Sequence, residues 1–518
     1  MYSKVLSGVA LGIDGMLISV ETDISTGLPG LSLVGYLASS VKEAGDRVRA
    51  ALKNIGYFLP SKKITINLSP ADVRKDGTNY DLAIAMSILL SMGTIPDDEK
   101  LNKEISESLF LGELGLDGSI IHINGVLPIV DYAKKQGIKR VIIPASNADE
   151  AAYVKDIEII PIEHLYDLMN SLSEGVWPAT HVMHGLAETR LEEVQTYPDL
   201  ADIKGQELMK RGLVIAVAGF HNIIMTGAAG SGKSMIAKCI PGIMPEMSYE
   251  EKMELTKIYS VAKLLNTNGK LLDRRPFRSP GQSITDIALC GGGAKAKPGE
   301  ISLANGGVLF LDELPEYRRN VIESLRQPLE DRQITVSRSR GMFTYPARFM
   351  LVSARNNCPC GFYPDRERCR CTSGEIFRYQ NRVSHPIMDR IDIRLEVKPV
   401  EMRALFNEEK GLSSSEARKL ICIARERQIR RFRGEGFNFN SEIPQNKVDE
   451  FIKLDSAMKE KMKCIFETTR MSARGYYRML RLVRTIADIE DRDEIIDSDI
   501  DEALFFRNES DFRGGVLC

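Results

Sequence analysis

The chain has 518 residues, too many for one hydrophobic core, and at roughly 100–200 residues per domain we expect about three domains. Its 43% hydrophobic and 27% charged residues are typical of a globular protein. The formal net charge of −2 excludes a globally basic nucleic-acid footprint, so any contact with DNA must use local basic patches.

The first residues predict neither a signal peptide nor a transit peptide, because Asp14 interrupts their short apolar stretch. No later segment reaches the ~18 uninterrupted apolar residues that a membrane span needs. Nine cysteines in a large intracellular chain favour metal binding or isolated thiols over a disulfide framework. We therefore expect a cytoplasmic protein that does not contact a membrane.

Residues 1–170 alternate short apolar runs with helical patterns, which predicts a mixed α/β domain. The segment 41–56 is amphipathic and ends at Gly56, so it predicts a helix. A second helix, apolar and buried, is predicted at 81–93. Three runs bounded by Pro, Gly or Asp predict strands, at 64–70, 108–114 and 139–144.

The remainder of the chain divides by pattern into four parts. Residues 171–198 lack a clean period and predict a linker, whereas 199–396 contain strand-then-loop units of a central α/β domain. Residues 397–507 show helical spacing of apolar residues and predict a helical domain, in which the serines at 413–415 are suitable N-caps. Residues 508–518 predict a short tail.

Residues 221–234 predict a strand, a glycine-rich loop and the start of a helix, and they match the pattern G-x-x-x-x-G-K-[ST]. Backbone N–H groups of such a loop close around phosphate oxygens, and the helix directs its N-terminal dipole at the same charge. The glycines that permit this approach are Gly227, Gly230 and Gly232. We expect Lys233 to reach the β- and γ-phosphates and Ser234 to ligate Mg²⁺, which makes ATP and Mg²⁺ the predicted cofactors.

A second predicted buried strand, Val308–Leu311, ends in Asp312 and Glu313. Acids at the carboxyl end of a central parallel strand lie where such sheets bind ligands. We expect Asp312 to organise Mg²⁺ and its waters, and Glu313 to polarise the attacking water as general base. A third strand, within 349–357, ends in polar residues, of which Asn356 is the candidate to orient that water.

Four further segments carry a family resemblance, namely 277–293, 299–317, 356–363 and 388–393. Together with the nucleotide motifs they resemble the Mg-chelatase-like AAA+ ATPases of the ComM/YifB family, and the resemblance extends to both ends of the chain. It implies an α/β fold class with three parts. These are an N-terminal S5-like domain similar to that of Lon proteases, a central AAA+ P-loop domain and a C-terminal helical lid.

The resemblance also implies two arginines of the ATPase site. Arg390, in the segment MDRID, resembles the arginine finger that reaches the γ-phosphate of a neighbouring subunit, and Arg474, in MSARG, resembles the sensor-2 arginine of the lid. Permanently charged, planar guanidinium groups stabilise charge on a transferring phosphoryl group. Each arginine alone could instead form a structural salt bridge. A finger supplied by a neighbour implies a ring of identical subunits, which is a hexamer in the family.

The sequence departs from the family pattern close to the expected phosphates. Ala228 and Ala229 replace the usual Pro-Pro after the first P-loop glycine. Ser279–Gln282 replaces a Ser-Pro-His-His segment, and Asn357 stands where proline is usual. These departures affect the expected geometry of the helix-2 insert and the sensor, and leave the predicted ATP binding unchanged.

Four cysteines cluster within 358–371 in the pattern C-x-C-x₈-C-x-C, as Cys358, Cys360, Cys369 and Cys371. Four thiolates in so short a span suit tetrahedral Zn²⁺, so we predict structural zinc, with a reduced, metal-free loop as the alternative. Three arginines of this loop could offset the charge of a zinc tetrathiolate or contact DNA phosphates, namely Arg366, Arg368 and Arg370.

The segment 109–151 is similar to the proteolytic domain of Lon-type proteases, which raises an ATP-dependent peptidase as a second hypothesis. Such an enzyme would need a serine nucleophile with a lysine base. Asn79 stands where the serine should be, and the lysine position falls near Leu127. Neither residue supplies the chemistry, so we expect a binding or scaffold domain.

Two segments resemble elements that line the pore of related AAA+ rings. Residues 291–299 occupy the position of the helix-2 insert, and 332–346 alternate like a β-hairpin. Their candidate contacts with DNA phosphates are Lys295, Lys297, Arg338 and Arg340. A basic run at 423–436 could also contact DNA or form a solvated helix face.

The predicted function is a ring-forming ATPase that translocates on DNA. The resemblance implies a helicase that drives branch migration of recombination intermediates, including those of natural transformation. The alternative is a chelatase-like or protein-remodelling ATPase without a DNA substrate, since fold and motor do not determine the substrate. A non-catalytic, nucleotide-gated scaffold is disfavoured by the intact Lys233, Asp312 and Glu313.

Overall fold

A computed structural model gives the fold of two α/β parts followed by a helical part. The structure describes residues 1–96, 98–180, 197–265, 271–293, 296–338, 341–398 and 411–507. Within these ranges, no helix has both the length and the apolar character that crossing a bilayer requires.

A seven-stranded mixed sheet organises the amino-terminal part, in the strand order β3-β4-β2-β1-β5-β8-β9. Its strands are β1 (Tyr2–Leu11), β2 (Asp14–Ser25), β3 (Gly30–Val34), β4 (Lys63–Ser69), β5 (Leu109–Phe110), β8 (Arg140–Pro144) and β9 (Glu158–Ile162), with a separate hairpin of β6 (Glu113–Leu114) and β7 (Ile120–Ile121). Strands β1 and β2 form a long antiparallel hairpin. Its turn contains Gly12 at φ 66°, a left-handed conformation that glycine adopts without a Cβ clash.

Within residues 1–96 and 98–180, seven α-helices accompany this sheet, namely α1 (Ser39–Lys42), α2 (Ala44–Asn54), α3 (Asp81–Ser91), α4 (Glu99–Ser106), α5 (Val126–Lys135), α6 (Ala148–Ala151) and α7 (Leu165–Ser173). Helix α3 is buried along almost its whole length, as its continuous apolar sequence predicts. The ion pair of Arg47 Nε with Asp81 Oδ2, 2.7 Å long, ties α2 to the start of α3.

The central part contains a five-stranded parallel sheet in the order β11-β14-β17-β10-β18. The central strands are β10 (Ile223–Gly227), β11 (Phe277–Arg278), β12 (Gly291–Gly292), β13 (Lys297–Pro298), β14 (Val308–Leu311), β15 (Gln333–Arg338), β16 (Gly341–Pro346), β17 (Met350–Arg355) and β18 (Ile393–Val397). All four residues of β14 are buried, because a parallel sheet is covered on both faces. Strands β12 and β13 pair as one hairpin, and β15 and β16 as another.

The helices of the central part are α8 (Glu207–Gly219), α9 (Lys233–Ile243), α10 (Tyr249–Ala262), α11 (Asp286–Cys290), α12 (Glu300–Leu303), α13 (Arg319–Ser324), α14 (Pro328–Asp331), α15 (Ser373–Gln380) and α16 (His385–Met388). Helix α10 contacts the amino-terminal part. Lys257 Nζ lies 2.6 Å from Asp131 Oδ2, and Ser260 Oγ donates to Glu150 Oε1 at 2.6 Å.

Within the described residues 411–507, five α-helices form the carboxyl-terminal part, namely α17 (Ser414–Arg431), α18 (Val448–Phe451), α19 (Ser456–Thr469), α20 (Ala473–Ile489) and α21 (Asp497–Arg507). Ser413 caps α17 in a reciprocal capping box with Glu416, which confirms the N-cap expected among residues 413–415. Apolar residues of α17 and α20 share one core with α8, α9 and the strands of the central sheet. The helical part is therefore packed directly on the nucleotide-binding part.

The element predictions are largely confirmed, with three corrections. The predicted helix 41–56 is two helices separated by Glu43. The predicted strand 108–114 is two short strands, because β5 pairs with β1 and β8 in the main sheet whereas β6 pairs with β7 in a separate hairpin. Helix α7 continues to Ser173, into the predicted linker, and most of that linker lies outside the described residues.

Candidate ATPase site

The glycine-rich loop lies between β10 and α9, at the carboxyl edge of the parallel sheet. Gly230 and Gly232 have φ values of 77° and 90°, which side-chain-bearing residues rarely adopt. A Cβ on Gly227 would lie 2.3 Å from the Val397 carbonyl oxygen, so this position also requires glycine. The backbone of the loop therefore favours glycine at the positions where the sequence pattern has it. The loop curves around the start of α9.

Lys233 is 7% exposed, and its ammonium group is directed back into this loop. It donates to the carbonyl oxygens of Gly227 at 3.0 Å and Ala228 at 2.8 Å, and to Asn356 Oδ1 at 3.1 Å. Burial lowers the pKa of Lys233, while the carboxylates of Asp312 and Glu313 act against this shift. The ammonium group thus joins the P-loop to the end of β17.

The acids that follow β14 face the start of α9. Ser234 Oγ donates a 2.6 Å hydrogen bond to Asp312 Oδ2. A hydroxyl and a carboxylate at this distance are the oxygen ligands that Mg²⁺ takes in P-loop enzymes. Glu313 adopts a left-handed backbone conformation at φ 52°, and its Oε2 accepts a 2.8 Å hydrogen bond from Gln282 Nε2. The structure thus brings Lys233 and Ser234 together with Asp312 and Asn356.

The cysteine-containing loop begins directly after Asn356 and folds back onto the P-loop. The Ala229 backbone N–H donates to the Gly361 carbonyl oxygen at 2.8 Å. A Cβ on Gly361 would lie 2.7 Å from the Ala229 Cβ, so the two loops are in close contact. Asn357 Nδ2 donates to the Tyr363 carbonyl oxygen at 3.1 Å, which holds the start of the cysteine loop.

The four cysteines converge on one point, and their Sγ atoms all lie within 4.8 Å of one another. Sγ of Cys358 is 3.3 Å from that of Cys360 and 3.7 Å from that of Cys369. Tetrahedral Zn²⁺ with Zn–S bonds of about 2.3 Å requires sulfur atoms roughly 3.8 Å apart. The cluster can therefore hold a metal ion. Two arginines of this loop stack on its own rings, Arg368 on Phe362 and Arg366 on Tyr363.

The two arginines implied by the resemblance meet at one carboxylate of the same chain. Glu330, in α14, is ion-paired with Arg390 Nη2, and its Oε1 lies 3.0 Å from Arg474 Nη2. Arg390 is 5% exposed, whereas the Glu330 side chain is 43% exposed. Burial alone would raise the pKa of Glu330, but the two guanidinium groups lower it overall.

A buried polar network joins the helical part to the beginning of β18. Arg478 Nη1 lies 2.7 Å from Asp392 Oδ1, and His221 Nε2 contacts Thr485 Oγ1 at 2.8 Å. Burial lowers the pKa of the His221 imidazole, against the effect of the neighbouring Asp392. Burial alone would raise the pKa of Asp392, yet Arg478 and His221 lower it overall. The arginines of α20 are thereby positioned relative to the sheet.

The two hairpins of the central part contact each other, since Tyr345 OH donates to the Ala296 carbonyl oxygen at 2.6 Å. The pairing of β15 with β16 confirms the hairpin predicted within 332–346. Lys297 is exposed on β13, and Arg338 ends β15. The other two candidate DNA contacts, Lys295 and Arg340, lie outside the described residues.

Three family models of magnesium chelatase match the chain in succession. The model of the magnesium chelatase subunit ChlI matches residues 199–405, a second model of subunit ChlI matches 20–147, and the model of its C-terminal part matches 411–507. YifB of Escherichia coli strain K12 is 39% identical over 507 residues, covering 98% of this chain and 97% of that protein. Competence protein ComM of Haemophilus influenzae is 37% identical over 506 residues and covers 97% of each chain.

The chain belongs to the Mg-chelatase-like ComM/YifB family. Membership in this family accounts for an AAA+ ATPase architecture with a P-loop. The Lon protease of Rhizobium meliloti is 27% identical over 178 residues, covering 32% of this chain and 21% of that protein.

The positions expected for a Lon-type dyad contain other residues in this member of the ComM/YifB family. Asn79 Nδ2 donates to the Gly8 carbonyl oxygen, and Leu127 is buried in the apolar core. Lys75 is buried as well and donates to the Pro70 carbonyl oxygen. These side chains serve as structural contacts within the amino-terminal part.

Three residues near the site were not recognised from the sequence, namely Gln282, Glu330 and Gly361. Gln282 lies in Ser279–Gln282, a segment that departs from the family pattern, and this departure was the feature of the sequence that could have identified it. Glu330 and Gly361 gave no local signal, because their partners lie far away along the chain.

Proposed function

We propose that this protein is an ATP-driven motor that works on DNA in the cytoplasm as a ring of identical subunits, and that it is a branch-migration helicase. Its substrates would be recombination intermediates, including those of natural transformation. The observation that carries this proposal is the convergence of Lys233, Ser234, Asp312 and Asn356 at one edge of the sheet. The name of the relative ComM, a competence protein, supports the link to DNA.

ATP and Mg²⁺ fit the residues present. The P-loop provides backbone N–H groups and the amino terminus of α9, both of which favour phosphate. Lys233 would exchange its carbonyl partners for phosphate oxygens, and Ser234 with Asp312 would ligate Mg²⁺ directly or through water. When bound, Mg²⁺ neutralises charge on the β- and γ-phosphates.

Glu313 would act as general base toward the attacking water. Gln282 holds its carboxylate in place with a 2.8 Å hydrogen bond and leaves the remaining lone pairs available to accept a proton. Asn356 would orient the same water from the neighbouring strand, since its amide lies beside Lys233. Together these groups perform positioning and electrostatic stabilisation, which account for most of the catalysis of phosphoryl transfer.

Arg390 and Arg474 would complete the site of an adjacent subunit. Both guanidinium groups converge on Glu330, so both can converge on one anion. In a ring, the γ-phosphate of a neighbouring subunit would take the place of that carboxylate. This supports oligomerisation, a hexamer being the family expectation.

Zinc fits the four-cysteine cluster in ligand type and spacing. Cys358, Cys360, Cys369 and Cys371 would bind it as thiolates, and bound zinc would fix the fold of the loop. Lys297 and Arg338, with Lys295 and Arg340, are the proposed contacts with DNA phosphates. Such contacts would be independent of base sequence and sensitive to salt.

The test is the rate of ATP hydrolysis without DNA and with single strands, duplex and a synthetic four-way junction, at low and moderate salt. We expect stimulation by DNA, largest for the branched form. Lys233→Ala should abolish ATP binding, whereas Lys238→Ala, on an exposed position of the same helix, should leave it intact. ATP turnover that no DNA changes would overturn the DNA assignment and favour a protein substrate.

A further inference from the structure

An open groove lies at the free edge of the seven-stranded sheet, and none of the residues of the proposed ATPase site lines it. Strand β3 forms this edge, and the groove lies between β3, the second half of α2 and the segment 57–62. Its volume is about 320 Å³. We call this feature the N-terminal groove.

Three cations line the N-terminal groove, namely Arg49, Lys53 and Lys62, and all three are exposed. The lining residues include no acid. Among the described parts of the chain, no carboxylate pairs with any of the three. Their charges therefore add up on one small surface, where they favour an anionic ligand.

Aromatic and apolar groups lie between these charges. Phe58 is 69% exposed, which is unusual for a phenylalanine in a folded domain, and Tyr57 beside it is half-buried. Leu31, Leu59 and the buried Ile64 add aliphatic groups to the lining. Exposed rings next to cations are the composition of surfaces that bind single-stranded nucleic acid, because bases stack on the rings while phosphates contact the cations.

The basic run of α17 provides an internal contrast. Arg427 there is paired with Asp491 at 2.7 Å, and Arg431 with Asp488 at 2.5 Å. Arg425 stacks on the Phe439 ring at 4.0 Å. This run contains more arginines than the groove lining does. The three arginines named here nevertheless contact acids or a ring of the same chain. Unpaired cations, rather than local Arg content, identify the surface available to a polyanion.

We propose that the N-terminal groove binds a single strand of nucleic acid, with Arg49, Lys53 and Lys62 on its phosphates and Phe58 stacked on a base. This inference rests on the proposed action on DNA and adds a second contact surface to it. An acidic peptide would satisfy the cations but would leave the exposed ring without a stacking partner. Duplex DNA would satisfy the cations too, although its paired bases are not available to Phe58.

The experiment measures binding of a fluorescently labelled oligothymidylate to the full-length protein by anisotropy, across a range of salt concentrations and without ATP. Two triple variants are compared with the parent. The first neutralises the groove (Arg49→Gln, Lys53→Gln, Lys62→Gln). The second neutralises three exposed lysines of the same part that lie outside the groove lining (Lys4→Gln, Lys103→Gln, Lys139→Gln).

The groove variant should bind roughly tenfold more weakly, and its slope of log affinity against log salt should be shallower by about 2, since each lost contact with a single strand removes about 0.7. The control variant should keep the parent slope. Phe58→Ala should lose about tenfold in affinity for the single strand and little for a duplex. Basal ATP hydrolysis should be equal in all four proteins.

The outcomes separate the two proposals. A parent protein that binds no DNA would overturn the proposed DNA motor. A parent that binds DNA, with the groove variant and Phe58→Ala binding equally well, would overturn the groove alone. If the groove variant loses binding to an acidic polyglutamate probe but keeps the parent's affinity for the oligothymidylate, the nucleic-acid proposal is overturned in favour of a protein partner.

Discussion

The phosphate side of the proposed ATPase site and its arginine side differ in what their charged groups contact. On the phosphate side, Lys233 donates to neutral oxygens of the P-loop and of Asn356. On the arginine side, Arg390 and Arg474 are bound to the carboxylate of Glu330. Lys233 can exchange its neutral partners for phosphate oxygens directly, whereas Arg390 and Arg474 must first leave their ion pairs with Glu330.

The difference indicates how a ring could control hydrolysis. The phosphate side is assembled within one chain by the order of the parallel strands. The arginine side is neutralised by its own chain, and an anion presented by a neighbour must compete with Glu330. ATP binding would then depend on one subunit, and ATP hydrolysis on two.

Removing Arg390, the proposed arginine finger, should have the largest effect on turnover. We expect Arg390→Ala to lower kcat by about 10³-fold or more, because guanidinium stabilisation of the transferring phosphoryl group is lost, while ATP affinity is retained. Steady-state hydrolysis and fluorescent-nucleotide binding measure the two quantities. Turnover near that of the parent would show that Arg390 serves the fold alone.

Replacing the proposed general base should reduce kcat by about 10²- to 10⁴-fold, again with ATP binding retained. The variant is Glu313→Gln, and the matched control is Glu316→Gln. Glu316 lies close by in the chain but pairs with Arg382 at 3.0 Å. A Glu313→Gln protein with parental kcat would remove the assignment of the base.

A mixture of these two inactive variants tests the comparison directly. In a mixed ring, an Arg390→Ala subunit contributes an intact Glu313, and its Glu313→Gln neighbour contributes an intact Arg390. We expect the mixture to regain measurable hydrolysis that neither variant shows alone. A mixture that stays inactive, although mass measurements show mixed oligomers, would place both groups within one subunit's site.

Weakening the contact between the P-loop and the cysteine loop should have a smaller effect, and this effect should be on ATP affinity. Ala229→Pro removes the N–H that donates to Gly361, and one hydrogen bond contributes about 1 kcal/mol, so the Kd for ATP should rise a few-fold. Ala229→Gly keeps the N–H and serves as control. Selective removal of the zinc proposed for the four-cysteine cluster, with Mg²⁺ kept in excess, should weaken ATP binding in the parent and less so in Ala229→Pro. Equal responses would show that the cysteine loop does not support the P-loop.

Removing the negative charge that pairs with Arg390 and Arg474 should have the smallest effect on ATP hydrolysis. Glu330→Gln removes the competing charge, and because this carboxylate is partly exposed, we expect kcat/KM to rise by no more than about fivefold. Concentration-dependent ATPase assays measure this change. A fall comparable to that of Arg390→Ala would mean that Glu330 positions the finger during hydrolysis.

The sequence predicted the phosphate side well because its residues belong to local patterns. The glycines and Lys233 come from one strand–loop–helix unit, and Asp312 and Glu313 follow an apolar strand, so strand order was sufficient to bring them together. The partners of the arginines were missed, since Glu330 is an ordinary glutamate of a short helix. Gln282 was noticed as a departure from the family pattern, without its contact to Glu313.

The cysteine loop shows the same limit. Its four thiols were predictable from spacing alone, but the contact of Gly361 with Ala229 depends on how the loop folds over the P-loop. In the amino-terminal part, the groove was not predicted, because Arg49 and Lys53 share one face of α2 but are joined by Lys62 and Phe58 only through the packing of α2 beside β3 and β4.

By itself, the sequence determined the family, the position of the P-loop and the four-cysteine cluster, because each depends on residues close together in the chain or at the ends of adjacent strands. The tertiary structure alone decided which charges are paired. It paired Arg427 and Arg431 of α17 with carboxylates, tied Arg390 and Arg474 to Glu330, and left the cations of the N-terminal groove without acidic partners among the described residues. Whether two charged side chains pair depends on the distance between residues that are remote in the sequence, and a local sequence pattern does not contain that distance.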